Sequence, residues 1–321
     1  MNNLTQRDAF WNRIYDLAKT NRDIVVVSVD MGAPSLDKFR IDLPGQFVNV
    51  GIAEQNAIVV AAGLAMTGKH PFVYAIAPFV TLRCLEQIRV ESGIMNIPIT
   101  IVGVGAGFGY DDSGPTHHLT EDIAIMRAIP NIVINSISDN VMADAVAQMS
   151  CSMPVTNYVR LDRQKSPVIY EQGTDFSQGL AVLRDGDDGC IIATGDMVHA
   201  AINVADKLSK ENLSIKVLDL FTLPINKTAL IDELNPGKPI VTLEEHFLPG
   251  GLGSAVCEVL TDAEVLIPVK RIGLSFEKAY CYKYGGREEI RKYYGIDTDG
   301  VLKQIKDFMS IYDTELAIDR K

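Results

Sequence analysis

Phe47–Phe79 reads FVNVGIAEQNAIVVAAGLAMTGKHPFVYAIAPF. A β-rich run ending in Gly51 passes into an apolar helical stretch, and a second β-rich run follows, so the segment reads as one β-α-β unit. Inside it stands a single acidic residue, Glu54, preceded by Val48, Val50, Ile52 and Ala53 and followed by Ile58, Val59, Val60 and Ala61. A charge is costly to bury in such surroundings. The pattern places Glu54 at a helix N-terminus on the carboxyl edge of a sheet, where open α/β sheets hold their ligands. A first-turn glutamate favoured by the helix dipole is the plainer reading.

The same rhythm extends in both directions. DIVVVSVD (23–30), PFVYAIA (71–77), PITIVGVGA (98–106), NIVINSIS (131–138) and PVTNYVRLDR (154–163) read as strands. Helical patterns at 53–68, 82–96 and 119–129 lie between them. A polar stretch with Gly and Pro, containing one short strand, interrupts the series, which then restarts with CIIATGD (190–196), LSIKVLDL (213–220), PIVTLEEH (239–246) and VKRIGL (269–274) around helices at 197–212 and 251–262. The chain from Arg287 is charged and helical in pattern. The expectation is α/β: two domains, 1–165 and 190–321, each a mainly parallel sheet flanked by helices, joined by a linker at 166–189.

Composition narrows the function classes. Two domains is the natural division of 321 residues. A net charge of −11 argues against sequence-independent nucleic-acid binding, though a local arginine cluster or helix N-terminus can still hold a phosphate. No run approaches the roughly 18 apolar residues of a membrane span, and the polar N-terminus is unlike a secretion signal, so the expectation is no membrane and a cytoplasmic location. Cys84, Cys151, Cys190, Cys257 and Cys281 are odd in number and never in a C-x-x-C pair, which points to buried small side chains rather than disulfides or zinc.

Four further places bear on chemistry. GYDDSGPTHHLTED (109–122) sets His117 and His118 after a Gly-Pro turn; the two diverge in direction, and no third ligand at metal spacing accompanies them. Asp111 and Asp112, taken alone, read as solvated turn residues. Phe79 follows a strand and a proline, a position that is usually core. Arg160 and Arg163 close a strand, where an exposed ion pair is the default. Gly250, Gly251 and Gly253 mark a strand-to-helix turn that suits either a nucleotide or tight packing.

Taken in order, VNVGIAEQNA (48–57), FVTLRCLEQIR (79–89), GPTHHLTEDIAIMRAIPNI (114–132), YVRLDRQKSP (158–167) and LEEHFLPGGLGSAV (243–256) resemble the thiamine-diphosphate enzymes of the transketolase family. The resemblance covers nearly the whole chain, and five motifs in order are far more specific than any one. It implies a pyrimidine-binding domain followed by the family's C-terminal domain. The G-D-G motif that marks the family's diphosphate- and Mg²⁺-binding domain is not in this sequence. Hence the resemblance is to one half of a split transketolase, with thiamine diphosphate as cofactor and Mg²⁺ held mainly by a G-D-G-bearing partner subunit in an α2β2 heterotetramer; this chain itself is expected to supply no metal ligand.

The same resemblance implies roles. Glu54 contacts N1′ of the aminopyrimidine and promotes loss of the thiazolium C2 proton, helped by apolar surroundings. Phe79 packs on the pyrimidine ring; Ile76 stands where a second aromatic is common. His117 reaches the sugar and the reactive centre, with His118 beside it. Arg163 matches an arginine that holds an acceptor phosphate. Gly105 stands where many transketolases place a sugar-binding histidine, and Ser113, next to Asp112, where an aspartate recognises a donor hydroxyl. The implied activity is transfer of a two-carbon ketol unit between sugars or sugar phosphates, with an unusual ketose or aldose as substrate. A β-type subunit of a 2-oxoacid dehydrogenase is an alternative, but its loop usually reads G-P-x-H-S rather than GPTHH. A 1-deoxyxylulose-5-phosphate synthase is another, normally a single three-domain chain. A non-enzymatic scaffold is disfavoured by the joint presence of Glu54, Phe79 and His117.

Overall fold

The computed structural model describes residues 4–319. Its first half runs α1 (Gln6–Ala18), β1 (Ile24–Ser28), α2 (Pro34–Asp42), β2 (Phe47–Asn49), α3 (Glu54–Met66), β3 (His70–Ile76), the short α4 (Ala77–Val80) and α5 (Leu85–Ile88), β4 (Thr100–Val104), α6 (Asp122–Met126), β5 (Ile132–Ser136), α7 (Asn140–Ser150) and β6 (Thr156–Leu161). The second half runs β7 (Leu180–Arg184), β8 (Gly189–Ala193), α8 (Met197–Ser209), β9 (Ile215–Leu220), β10 (Thr222–Leu223), α9 (Lys227–Asp232), β11 (Ile240–Phe247), α10 (Leu252–Asp262), β12 (Val269–Leu274), α11 (Arg287–Tyr294) and α12 (Thr298–Asp319).

Two mainly parallel sheets result. The first has seven strands in the order β10-β5-β6-β4-β3-β1-β2, antiparallel only at β10–β5; the second has five, β12-β11-β8-β9-β7, antiparallel only at β7–β9. Strands such as Ile24-Val25-Val26-Val27-Ser28 are buried throughout, as parallel strands covered on both faces must be. The polar segment 166–189 carries β7 to the edge of the second sheet, while the two-residue β10 returns to the first sheet and pairs Thr222 with Asn135. The halves therefore share backbone hydrogen bonds as well as side-chain contacts.

Several elements differ from the sequence reading. The stretch 82–96 is not one helix: a 3-10 turn at Leu82–Cys84 leads through α5 into a π-turn at Arg89–Ile94. A Cβ on Gly93 would come within 2.6 Å of Ile129 Cγ2, and the widened turn brings bare backbone against that residue. Helix 119–129 shortens to α6 because Leu119 spends its N–H on Gly107 in a β-bridge and Thr120 offers its carbonyl to Phe247. The polar-looking N-terminus forms α1, whose Phe10, Trp11, Ile14 and Ala18 are buried at helical spacing. Cys84, Cys190 and Cys281 are buried, but Cys151 and Cys257 are only half-buried. Among the described residues, no helix is long and apolar enough to cross a membrane.

Candidate active site

The sheet order brings four connections together. Glu54 follows β2, Phe79 follows β3, the loop 105–118 follows β4 and Arg163 follows β6; these strands lie within one contiguous run, β6-β4-β3-β1-β2, and all expose their carboxyl ends on one edge.

Glu54 is the first residue of α3 and 6% exposed. It is not a lone charge, as the linear sequence suggested: Arg83 Nη1 donates to Glu54 Oε1 at 2.7 Å. The same guanidinium lies over the Phe79 ring, 4.2 Å from its centroid, and the His117 ring meets Phe79 edge-on at 5.1 Å. Ile76, half-buried at the end of β3, turns the chain into α4. A planar nitrogen-bearing group thus sits between a carboxylate and an aromatic face.

The loop forms the second wall. Arg163 Nη1 donates to Asp112 Oδ1 at 3.0 Å and Ser113 Oγ donates to the same oxygen at 2.9 Å; these hydrogen bonds hold the exposed Asp112 carboxyl below its ordinary value. Arg163 also lies over the Tyr110 ring, 4.6 Å from its centroid, and Tyr110 stands 6.0 Å from the His117 ring. Tyr110 explains Gly105. Gly105 has φ +94°, and a Cβ there would fall 2.2 Å from Tyr110 Cδ2, so the tyrosine ring fills the space a side chain at 105 would occupy.

His118 turns away from this cluster. It is 5% exposed, its ring meets Phe108 at 5.1 Å, and burial lowers its pKa. Two readings of charged residues also change. Arg160 is not exposed: its Nε donates to the buried Asp122 at 2.7 Å, beside a hydrogen bond from Tyr158. Asp111 is not simply solvated, since its Oδ2 accepts from the Arg287 backbone N–H at 2.9 Å and from Gln164 Nε2 at 3.2 Å.

The glycine-rich turn at 250–253 is filled from within. Glu244 accepts hydrogen bonds from Leu252 N–H at 2.7 Å and Gly253 N–H at 2.9 Å, so a buried carboxylate occupies the first turn of α10. A Cβ on Gly251 would lie 2.0 Å from Glu244 Oε2, which accounts for the glycine by packing. Burial pushes the Glu244 carboxyl up to about 7 against these two donors. Among the described residues, no group of three or more His, Cys, Asp or Glu is placed to hold a metal ion.

α3 is apolar on almost every side, yet Ile52 just before it is 80% exposed, and Val59 and Met66 are 46% and 69% exposed. Ile94 and Met95, in the turn that leads into β4, are exposed as well. Helices apolar all round are normally buried.

Two mainly parallel sheets flanked by helices define the class of fold, and comparison with known proteins fixes the family. The profile "Transketolase, pyrimidine binding domain" matches residues 2–168, and "Transketolase, C-terminal domain" matches 179–301. This chain belongs to the transketolase family and is a transferase subunit of the split type. It is 35% identical over 312 residues to an apulose-4-phosphate transketolase subunit of Phocaeicola vulgatus, covering 96% of this chain and 98% of that one. It is 32% identical over 271 residues to the 6-deoxy-6-sulfo-D-fructose transketolase subunit SqwH of a Clostridium species, covering 84% of each. A solved split-gene transketolase, described as an inactive beta4 tetramer, superposes with a TM-score of 0.84 at 31% identity over 96% of this chain and 98% of that one. By contrast, the match to 1-deoxy-D-xylulose-5-phosphate synthase of Syntrophus aciditrophicus covers 47% of that protein.

Proposed function

We propose that this chain supplies the pyrimidine side of a thiamine-diphosphate site, completed by a partner subunit that holds the diphosphate and Mg²⁺ in an assembly of two copies of each chain. The observation that carries this reading is the Glu54–Arg83–Phe79 arrangement. A flat, nitrogen-rich guanidinium makes one carboxylate hydrogen bond and covers one ring face there. An aminopyrimidine needs the same two surfaces, a carboxyl group facing its ring nitrogen and an aromatic ring against its face, with Glu54 then donating the hydrogen bond that it accepts from Arg83 here, so the residues present fit the cofactor. When bound, thiamine diphosphate supplies the electron sink for cleaving and transferring a two-carbon unit.

The chain's own residues then have distinct work. Glu54 holds a proton toward the pyrimidine ring nitrogen, Phe79 supports the ring face and Ile76 closes the pocket with an apolar side chain. His117, carried above Phe79, hydrogen-bonds the sugar near its reacting carbons. Asp112 and Ser113 meet sugar hydroxyls, and Arg163 offers its guanidinium to a phosphate or another anionic end group. His118 supports the loop from behind. The exposed apolar surface of α3, next to Glu54, is where a second chain covers the site.

The substrate is a modified ketose. Tyr110 packed on Gly105 removes one sugar-contacting position and substitutes an aromatic wall, and Ser113 removes a carboxylate. Relatives named for apulose 4-phosphate and 6-deoxy-6-sulfo-D-fructose support this choice. The test is an assay of ketol transfer by the chain alone and by the two-subunit complex, each with cofactor and Mg²⁺, across ordinary pentose phosphates and modified ketoses. The expected result is activity only in the complex, with a modified ketose giving the highest kcat/KM. Transfer by the isolated chain refutes the shared site; xylulose 5-phosphate as best donor, at about 10⁴ M⁻¹s⁻¹ or more, refutes the substrate.

A further inference from the structure

Both walls of the proposed sugar site hang on one arginine of the second domain. Arg287, the first residue of α11, is buried and donates Nε and Nη2 to Glu245 on β11, with Nε at 3.1 Å from each oxygen and Nη2 at 2.5 Å from Oε2. Its Nη1 donates to Asp162 at 2.5 Å, and its backbone N–H donates to Asp111 at 2.9 Å. Arg291 adds a 2.7 Å bond to Glu245 and a 2.6 Å bond to Asp196. Five hydrogen bonds from one residue leave its orientation little freedom.

Each acceptor leads to the site. Glu245 Oε2 accepts the N–H of Phe108 at 3.0 Å, and Gly107, at φ +56°, would place a Cβ 2.1 Å from that oxygen. Gly107 is also the partner of Leu119 in the bridge that closes the loop at its base. Asp111 lies within the loop, next to Asp112 and Ser113. Asp162 immediately precedes Arg163 and accepts the backbone N–H of Gln164 at 2.7 Å, while the Gln164 side chain returns to Asp111. The Phe108 ring completes the lock by stacking on Tyr294 of α11, with centroids 5.7 Å apart.

Burial alone makes ionising Glu245 unfavourable, but Arg287 and Arg291 outweigh it and hold its carboxyl down at about 2. The cluster therefore remains charged and directional. Buried charge pairs add little to stability compared with apolar packing of the same volume, but they fix geometry, and small displacements of binding groups cost much in rate.

We infer that Arg287, together with Glu245, is a positioning residue: it sets the spacing between the loop carrying His117, Asp112 and Ser113 and the strand end carrying Arg163. The second domain thus adjusts sugar binding without touching the sugar. This rests on the proposed reading of the loop as the sugar wall.

Two variants test it, Arg287→Lys, which keeps the charge but loses the fork, and Asp111→Ala, which cuts the loop tie and leaves the buried cluster whole. In the isolated chain, amide hydrogen exchange should accelerate about tenfold or more at 108–119 in both variants, with the global melting temperature of Asp111→Ala within about 2 °C of wild type. In the two-subunit complex, KM for the ketose should rise about tenfold, while exchange of the cofactor C2 proton, which depends on Glu54, stays within about twofold. Unchanged loop exchange in both variants overturns the inference whatever the reaction proves to be. So does faster loop exchange with an unchanged KM, or KM and C2 exchange deteriorating in parallel with melting temperature. A wild-type complex that exchanges the C2 proton yet transfers no ketol unit overturns the reading of the loop, and the inference with it.

Discussion

The chain builds a strand, a glycine turn and a helix with a nearby glutamate twice, once in each sheet, and the two copies end differently. At β2–α3, Ala53 caps the helix with no side-chain hydrogen bond, and the buried Glu54 pairs with Arg83, whose guanidinium covers the Phe79 ring. At β11–α10, Glu244 reaches into the first helical turn and takes its N–H groups for itself. Both turns present glycines at the carboxyl edge of a parallel sheet. What separates the proposed ligand site from a packed core here is the direction from which the carboxylate arrives: from the helix itself in one case, from the strand beneath it in the other.

The largest effect should come at the open copy. In the assembled complex, Glu54→Gln should lower the rate of cofactor C2-proton exchange about 10²- to 10⁴-fold, as loss of a general acid/base group does, with an unchanged circular dichroism melt. Wild-type exchange in this variant would erase the contrast and leave Glu54 a helix-start residue like any other.

At the filled copy the effect should fall on stability instead. Glu244→Ala strips two buried N–H groups of their acceptor, at a cost of about 1–3 kcal/mol each, read as a lower denaturation midpoint. Its kcat in the complex, measured well below the melt, should match wild type. Lost turnover with an unaltered midpoint would make the second helix start a functional site as well.

The smallest effect sharpens the comparison through pH. The folded carboxyl of Glu244 is raised to about 7, so the folded chain binds this proton more tightly than the unfolded chain. Stability therefore falls as pH rises from the ordinary carboxylate range to about 7, by at most roughly 1.4 kcal/mol per pH unit for one proton. Asp219, buried and likewise raised to about 7, acts with the same sign. Glu245, lowered to about 2, acts oppositely, and its contribution disappears only as pH falls through that value. Melting temperatures between pH 4 and 8 should decline less steeply in Glu244→Gln than in wild type; parallel profiles would show that the buried carboxyl does not titrate there.

Much of this was legible in the sequence because the signals are local. Buried parallel strands announce themselves as continuous runs of Val and Ile, and Glu54, Phe79 and His117 follow strand ends that the β-α rhythm places on one edge. What was missed depends on pairs distant in the chain. Arg83 stands in a helical stretch where any arginine reads as solvated; its bond to Glu54 spans 29 residues. Glu244 and Glu245 are adjacent and chemically identical, but successive side chains of a strand point to opposite faces, so one meets backbone N–H groups and the other two arginines. Nothing short of the folded packing separates them. Tyr110 escaped for a related reason, since the glycine noted at 105 carries no sign of what fills its place.

The bare face of α3 also bears on how the cell must make this protein. Ile52, Val59 and Met66 are exposed in this chain. On the proposed docking of the partner against this face, a second copy of the same chain competes for it, and contact between like chains withdraws both from productive assembly. Active enzyme should then depend on the ratio in which the two polypeptides are produced and on how soon they meet, more than on the total amount of either. An excess of this chain would act as a sink for itself, and translation of both polypeptides in close proximity would shorten the interval in which that loss can occur.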